Sequence, residues 1–441
     1  MVTEHEKEAF TVMKRTLSLL LACALGLSLL PGCSAGPGPL SPSGSFAPPP
    51  SEPHGQLVSQ AFLPAASPRV EAALADFGLA LLQQTRQSKP GSTLISPFSV
   101  GMALSMAANG AEGNTLKQFE TVLGGGASLD ELNAAWAQLS GDYHALGGST
   151  RCSIANSLWK DHNGGIYEEF ASKCRGGYGA QIYEADLSDL RIVDDVNAWV
   201  SERTGKLIPE IIEEPFPEET ACLLVNALYL KNRWSVEFHP NDTHELTFRH
   251  AGGSETRTDF LRHFGVTLPY LQGAGAQGAV LPYDDGRLGL FVLLPDLCPD
   301  SPGLEEWLNT LDGARLTELL NSRTDTGFLT FAMPRFTAEW RGNLEKILPG
   351  LGLEDPFIPG LADFSSMGNS EEGYYLSQVI HAAKLEVNEK GTEAAAATVV
   401  AAEAGAALPT EEGVTLVLDR PFLYGIADLQ TGVPLFLGTF E

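Results

Sequence analysis

One histidine and two serines are the residues of this sequence whose types could support nucleophilic catalysis. His381 lies in an apolar run, and Ser96 and Ser99 lie on either side of a Pro-Phe pair early in the chain. In a serine hydrolase a histidine takes the proton of the attacking hydroxyl, so these residue types could in principle cleave a peptide or an ester. The sequence contains no GxSxG motif, which is typical of one large class of such enzymes. A surface hydrolase is therefore a weakly supported alternative, and we do not expect an enzyme.

A glycine-rich hexapeptide, Gly273–Gly278, matches the GxGxxG pattern of dinucleotide-binding loops. Such a site requires a helix that begins at the loop, but Pro282 follows closely and a new strand is predicted there. A tight glycine turn is the better interpretation. His244-Glu245 lacks the second histidine of a zinc-protease motif, and the chain has no P-loop and no CxxC. The sequence predicts no cofactor and no metal.

The cysteines give no clear pattern. Beyond Cys23 and Cys33, the chain has Cys152, Cys174, Cys222 and Cys298, and their spacing matches no zinc motif. Four cysteines could pair in three ways. We therefore predict no disulfide and leave any pairing open.

An alanine-rich stretch near the end of the chain is the segment around which the other elements are organised. Nine of the sixteen residues 392–407 are alanine, and they do not form the apolar stripe that would hold a helix on a core. As a strand, the segment places Thr392, Ala394, Ala396 and Thr398 on one face, which is small and uncharged. Both glutamates of the segment fall on the other face. Such a strand could enter an existing sheet without needing new core volume.

The rest of the chain predicts mixed helices and strands. Ser67-Pro68, Ser96-Pro97 and Asn114-Thr115 are helix starts, and a further helix is predicted over 194–203. Strands are predicted without a regular βαβ order, which indicates an α+β fold. The predicted strands are 153–159, 222–231, 268–283, 288–294, 328–333, 382–387, 414–418, 422–428 and 433–440.

Several separate motifs resemble the serpin family over about residues 68–440. The hinge of the serpin reactive-centre loop is similar to Glu389, Lys390, Gly391, Thr392, Glu393, Ala394, Ala395 and Ala396. The sequences Asp419–Tyr424, Asn109–Thr115, Ser96–Ser99 and Leu223–Trp234 are also similar to serpin segments, although Asn232 stands where the family usually has glycine. The resemblance implies a serpin fold with three β-sheets, about eight or nine helices and an exposed reactive-centre loop.

The resemblance also implies roles for individual residues. Ser96, Ser99, Asn226 and His381 match the polar cluster beneath the central sheet, where strands part to admit the loop. We call these four residues the sheet-opening cluster. Trp234 and Arg335 match positions where the loop enters the sheet, and Arg335 could pair with Glu389. Separately solvated charges are the alternative for that pair.

The implied function is irreversible inhibition of a serine protease, in which the cleaved loop inserts into the central sheet and traps the acyl-enzyme. The family distance from Glu389 places the scissile bond at Gly405-Ala406, with Ala404, Ala407 and Leu408 as alternatives. Since no Arg or Lys lies between Thr392 and Glu412, an elastase-like or subtilisin-like protease is the expected partner. A non-inhibitory serpin-fold carrier or interaction protein is the alternative, and the small hinge residues favour inhibition. We expect a monomer.

Composition and the N-terminal region bear on location. With 28 basic and 55 acidic residues the net charge is −27, so nucleic acid is not an expected partner. Met13-Lys14-Arg15 and the apolar run after it read as a secretory signal, with a possible true start at Met13. Leu30-Pro31-Gly32-Cys33 resembles a bacterial lipobox, which implies lipidation at Cys33. The alternative is ordinary secretion.

These features predict three regions. Residues 1–32 form the signal peptide, 33–64 a Pro/Gly/Ser-rich linker that cannot order itself, and 65–441 a single serpin domain. The expected location is extracytoplasmic, on the bacterial cell surface through a membrane lipid anchor.

Overall fold

The structure is a computed structural model that describes residues 68–162, 164–218, 220, 222–297, 303–325, 328–370, 373–392 and 413–441. Several predicted features lie outside these residues and stay predictions. They are the signal, the linker and Cys33, the thiol of Cys298, the hinge residues Glu393, Ala394, Ala395 and Ala396, and the reactive-bond candidates Ala404, Gly405, Ala406, Ala407 and Leu408.

Eight α-helices lie in the described ranges, and local sequence signals mark the starts of several of them. The Ser96 hydroxyl caps the second helix by accepting a hydrogen bond from the Ser99 amide at 3.2 Å. Ser128 and Glu131 form a reciprocal capping box at the start of the fourth. The helices are α1 (Pro68–Ser88), α2 (Pro97–Ala108), α3 (Gly113–Gly124), α4 (Leu129–His144), α5 (Glu168–Tyr178), α6 (Arg191–Arg203), α7 (Leu304–Leu308) and α8 (Gly313–Asn321). No helix in the described ranges combines the length and the hydropathy that a bilayer span requires.

The described strands form three large sheets and one short ribbon. The strands are β1 (Thr93–Ile95), β2 (Arg151–Lys160), β3 (Gly165–Ile166), β4 (Gln181–Glu184), β5 (Cys222–Arg233), β6 (His244–Arg249), β7 (Glu255–Val266), β8 (Pro269–Gly273), β9 (Ala276–Pro282), β10 (Leu288–Pro295), β11 (Thr324–Asp325), β12 (Leu329–Pro334), β13 (Phe336–Asn343), β14 (Gly368–Asn369), β15 (Gln378–Asn388), β16 (Gly391–Thr392), β17 (Val414–Val417), β18 (Phe422–Asp428) and β19 (Pro434–Phe440).

The three large sheets differ in strand order. The six-stranded sheet, called the central sheet below, has the order β13-β15-β16-β5-β2-β4. The seven-stranded sheet has the order β1-β19-β18-β10-β9-β8-β11, and the four-stranded sheet has the order β17-β12-β7-β6. The ribbon pairs β14 with β3. This α+β arrangement confirms the predicted fold class.

Two groups of buried apolar side chains hold the body together. The larger group lies among α1, α2, α4 and the inner strands of the sheets, and it includes Phe98, Trp136 and Phe291, which are nearly inaccessible. The smaller group lies between α6 and one face of the central sheet, with Trp159 and Trp199 as its largest members. Helix α6 is therefore attached to the central sheet by a core of its own.

Most predicted elements are found within a few residues of their expected bounds, but one prediction is wrong. The strand expected over 268–283 is two strands, β8 and β9, that form a hairpin. Its turn contains Ala274 at φ 49° and Gly275 at φ 72°. The glycine-rich hexapeptide is therefore a hairpin turn and no helix begins there, as its sequence indicated. The turn interpretation of this hexapeptide is therefore right, and the continuous strand over 268–283 is wrong.

Candidate functional site

The central sheet has a seam between β5 and β15. At one end the two strands pair directly and in parallel, through Gln378 with Leu223, Val379 with Leu224 and Ile380 with Val225. At the other end the two-residue strand β16 lies between them and pairs with both. Among the described residues, the direct pairs of β5 with β15 end at Val225, and the pairs of β5 with β16 are at Asn232 and Arg233. The seam is therefore closed at its base and separated by one strand width at its top.

The hinge residues Gly391 and Thr392 make up β16. Gly391 pairs with Arg233, and Thr392 pairs with Asn232 on one side and Val387 on the other. A Cβ atom on Gly391 would lie 2.0 Å from the carbonyl oxygen of Asn232, so this position requires glycine. The Thr392 side chain is fully buried. The first hinge residues thus already occupy the sheet.

Trp234 supports the segment that leads into β16. Its indole Nε1 donates to the Asn388 carbonyl oxygen at 2.8 Å, and its backbone amide donates to the Lys390 carbonyl oxygen at 3.0 Å. The indole stacks on Tyr283, with ring centroids 4.9 Å apart and planes within 9°. Two hydrogen bonds and one ring contact therefore hold the chain at the predicted position of loop entrance.

Glu389 lies between two further groups at this end of the sheet. Its carboxylate accepts a hydrogen bond from the Thr243 hydroxyl at 2.9 Å and lies 3.5 Å from the Arg335 guanidinium. The Arg335 side chain is 52% exposed and Glu389 is 17% exposed. Because Arg335 is so exposed, this ion pair contributes little to stability, at about 0–1 kcal/mol.

The structure brings three residues of the sheet-opening cluster together. The Ser96 amide donates to His381 Nε2 at 3.0 Å, and the Ser96 hydroxyl donates to the Leu435 carbonyl oxygen at 2.7 Å. Ser99 contacts Ser96 through its amide, as part of the helix cap. The imidazole accepts from a backbone amide and not from a serine hydroxyl, so the geometry is not that of a serine hydrolase.

Asn226 has a different partner from the other three. Its side-chain amide donates to the side-chain oxygen of Asn156 on β2, and Asn156 in turn donates to the Tyr178 carbonyl oxygen at 2.8 Å. The Asn226 side-chain oxygen and the Ser99 hydroxyl are buried without hydrogen-bond partners among the described residues. Asn226 lies one position beyond Val225, where the direct pairing of β5 with β15 ends. The unpaired side-chain oxygen of Asn226 therefore lies where the seam begins to separate.

Burial lowers the pKa of His381 from 6.5 to about 3, so the ring is neutral in the folded protein. An unfolded chain would bind a proton at this histidine near pH 6.5, and the folded protein binds it only near pH 3. The stability that His381 contributes is therefore lost as pH falls from 6.5 towards 3. We expect this residue alone to lower the free energy of unfolding by about 2 kcal/mol between pH 7.5 and pH 5.

The His381→Gln variant separates this effect from other titrating groups. We expect its unfolding free energy, measured by urea denaturation at both pH values, to fall by about 2 kcal/mol less than that of the original protein. His263, whose pKa is also lowered by burial, is present in both proteins and cancels in the comparison. An equal pH dependence in the two proteins would contradict the neutral, buried state of His381.

Asn232 bonds to a group that sequence reasoning missed. Its side-chain amide donates to Asp285 in the turn between β9 and β10, and the same carboxylate oxygen accepts from the Thr150 hydroxyl at 2.9 Å. Asn232 is 2% exposed and is not among the residues with positive φ, so glycine is not needed here. The unusual asparagine was visible in the sequence, but its partner lies 53 residues away and could not be inferred.

Helix α6 and the chain after it cover the seam on one face. Their apolar residues pack on β5 through Val225 and Ala227 and on β15 through Ile380 and Ala382. The Arg341 guanidinium on β13 also donates to the Glu210 carbonyl oxygen at 3.3 Å. The cover therefore spans both sides of the seam, and strands cannot separate at its base unless the cover shifts.

Three cysteines are described, and all are free thiols. Burial raises the pKa of Cys152, Cys174 and Cys222 to about 12, so these thiols are not poised for nucleophilic chemistry. No group of three or more His, Cys, Asp or Glu side chains in the described ranges could hold a metal ion.

Comparison with known proteins agrees with this architecture. Residues 72–441 match the family described as serpin (serine protease inhibitor). A leukocyte elastase inhibitor of Bos taurus is 32% identical over 366 residues, covering 81% of this chain and 94% of that protein. The crystal structure of tengpin, a thermophilic serpin, in its native state superposes with a TM-score of 0.79 at 29% identity, covering 86% of this chain and 96% of that one. Its latent state gives a TM-score of 0.72. The chain therefore belongs to the serpin family.

Proposed function

We propose that this protein irreversibly inhibits serine proteases of the elastase-like or subtilisin-like type by inserting its cleaved loop into the central sheet. The observation that carries the proposal is the position of Thr392, which is buried between β5 and β15 as the second residue of the short strand β16. The direct pairs of β5 with β15 end at Val225, so the seam between Val225 and Asn232 is the path along which β16 would extend. On the face that Thr392 shares, the following residues Ala394, Ala396 and Thr398 are small and uncharged.

The reaction begins as ordinary proteolysis. The protease serine attacks the carbonyl carbon of a loop residue, an ester forms, and the peptide C–N bond breaks. The protease histidine delivers its proton to the departing amine, which becomes the new N-terminus of the C-terminal fragment. The upstream part of the loop stays esterified to the protease. As that part extends β16 along the seam, the attached protease is drawn away from its original position and its oxyanion hole is distorted, so hydrolysis of the ester stalls.

The energies make such a distortion feasible. About a dozen new backbone hydrogen bonds at about 1 kcal/mol net each would release on the order of 10 kcal/mol. A protease is held folded by about 5–15 kcal/mol, so the two quantities are comparable. Two costs reduce the net free energy released by insertion. The three β5–β15 pairs must separate, and helix α6 with the chain after it must be displaced.

Protease preference rests on the loop sequence. The candidate bond Gly405-Ala406 and its neighbours carry small or aliphatic side chains, and no basic residue lies between Thr392 and Glu412. The relatives named leukocyte elastase inhibitor support an elastase-like partner.

The test is to incubate the purified protein separately with pancreatic elastase, subtilisin and trypsin and to run denaturing gels. We expect elastase or subtilisin to give a band that resists boiling in detergent, at the sum of the two masses less the mass of the released C-terminal fragment. Trypsin is the matched control and should give no such band, since the loop offers it no cleavage site. Mass spectrometry of the released C-terminal fragment identifies the scissile bond. Cleavage of the loop by elastase and by subtilisin without a covalent complex would contradict inhibition.

A further inference from the structure

The top of the seam is fixed by a hydrogen-bond cluster built on Asn232, Asp285 and Thr150. One Asp285 carboxylate oxygen accepts from the Asn232 side-chain amide and from the Thr150 hydroxyl. The other accepts from the backbone amides of Arg287 at 2.7 Å and Leu288 at 2.8 Å. The Asn232 side-chain oxygen accepts from the Arg233 amide at 2.9 Å. Both side chains are therefore locked in orientation by bonds at each end. We name the Asn232–Asp285 bond the β5 clamp.

The β5 clamp lies directly against the hinge. Thr392 is the register partner of Asn232, and Gly391 passes so close to the Asn232 carbonyl oxygen that a Cβ atom would not fit. A small movement of β5 at Asn232 would therefore displace the hinge, because no slack exists at this contact.

The backbone on the far side of Asn232 is tied to the same turn. The Asp284 amide donates to the Arg233 carbonyl oxygen at 3.0 Å, and the Ser235 amide donates to the Pro282 carbonyl oxygen at 2.8 Å. The β9–β10 turn is thus the support against which the end of β5 is held. The β5 clamp is the side-chain bond that joins this support to the residue paired with Thr392.

We propose that Asn232, through its bond to Asp285, positions the hinge residues Gly391 and Thr392 in the sheet and thereby sets the fraction of attacking protease that is trapped. This inference rests on the proposed inhibitory function. After cleavage, loop insertion competes with hydrolysis of the ester. The insertion rate is proportional to the fraction of molecules whose hinge is docked, and hydrolysis does not depend on docking. Loss of the β5 clamp lowers the docked fraction and shifts the outcome from trapping to release of cleaved inhibitor.

The first experiment measures docking without any protease. Hydrogen exchange of peptides that contain the Gly391 and Thr392 amides is compared between the original protein and the Asn232→Ala variant. We expect exchange to become about tenfold faster, which is the factor that corresponds to about 1.4 kcal/mol for one charge-assisted hydrogen bond. The same variant, incubated with elastase or subtilisin, should show a ratio of cleaved to trapped inhibitor that is about tenfold higher.

A double variant separates positioning from general stability. Asn232→Asp alone places two carboxylates together and should be at least as defective as Asn232→Ala. Asn232→Asp combined with Asp285→Asn exchanges donor and acceptor, and every hydrogen bond of the cluster can form again. We expect this double variant to return the exchange rate and the ratio of cleaved to trapped inhibitor to within about twofold of the original protein. Loss of the charge-assisted bond, by comparison, changes each by about tenfold.

Thr150→Val is the matched control, because it removes a hydrogen bond to the same carboxylate oxygen but leaves the Asn232–Asp285 bond itself in place. It should lower thermal stability without changing the partition ratio. The proposal is overturned if Asn232→Ala changes neither exchange nor partitioning, if it changes exchange but not partitioning, or if the folded double variant is not rescued. Absence of a covalent complex with the original protein would instead count against the proposed function, because the exchange result does not depend on it.

Discussion

Replacing Thr392 with arginine is expected to abolish covalent trapping while leaving the loop cleavable. Thr392 is fully buried between β5 and β15, and an arginine there would bury an unpaired charge at a cost of several kcal/mol. A cost of about 3 kcal/mol in the first step of insertion corresponds to about a hundredfold slower insertion. Hydrolysis of the ester would then be faster than insertion of the loop. Densitometry of the trapped and cleaved bands on a denaturing gel measures the ratio.

Thr415→Arg provides the control for this substitution. Thr415 is exposed on β17, close in sequence to the other end of the loop, so the variant adds the same charge without entering the central sheet. We expect its ratio of trapped to cleaved inhibitor to stay within about twofold of the original, against about a hundredfold for Thr392→Arg. If Thr392→Arg traps elastase or subtilisin as well as the original protein does, insertion between β5 and β15 is not the trapping step.

Replacing Arg287 with methionine is expected to lower the free energy of unfolding more than any other substitution proposed for this protein. Arg287 donates to Asp428 from Nε at 2.9 Å and from Nη2 at 2.7 Å, and the Asp428 side chain is fully buried. The Arg287→Met variant leaves this carboxylate buried without its cation. Breaking a buried pair in this way costs about 3–5 kcal/mol. Urea denaturation followed by circular dichroism measures the change in unfolding free energy.

Asp142→Asn is the matched control for the Arg287 prediction. Asp142 also accepts from Arg287 Nη2 at 2.9 Å, but its side chain is 35% exposed. We expect its loss to cost less than about 1 kcal/mol, because water replaces the missing partner. If Arg287→Met also costs less than about 1 kcal/mol, the buried pair with Asp428 contributes no more to stability than an exposed ion pair does, and the prediction is wrong.

The fold was largely predictable because its local signals agree with one another. The helix start at Ser96-Pro97 and the strand of β5 each appear as short sequence patterns, and the serpin resemblance supplies their arrangement. The glycines of residues 273–278 indicate the turn between β8 and β9, but a single strand over 268–283 ignores that signal, and the structure places the break at Ala274-Gly275. Several elements without strong local patterns, including β7 and β13, were not anticipated.

The bonds of the candidate site could not be predicted from its residue types. The structure brings Ser96 and His381 together through a backbone amide, which residue types alone cannot reveal. Asn226 bonds to Asn156 on β2 and not to His381. The Asp285 partner of Asn232 depends on where the β9–β10 turn lies in three dimensions. Long-range polar contacts of this kind follow from the folded arrangement and not from sequence spacing.

The two-residue strand β16 is a nucleus from which a longer strand could grow along the seam. A strand that started in the middle of a closed sheet would have to break old pairs before it made any new one. In the proposed insertion, each residue that follows Thr392 would form its bonds as the gap ahead of it widens, so the barrier to starting would be small and insertion would run from Thr392 towards Ile380. A bulky or charged residue that reaches the base of the seam would consequently stop insertion half-way, whereas one at Thr392 would prevent insertion from starting.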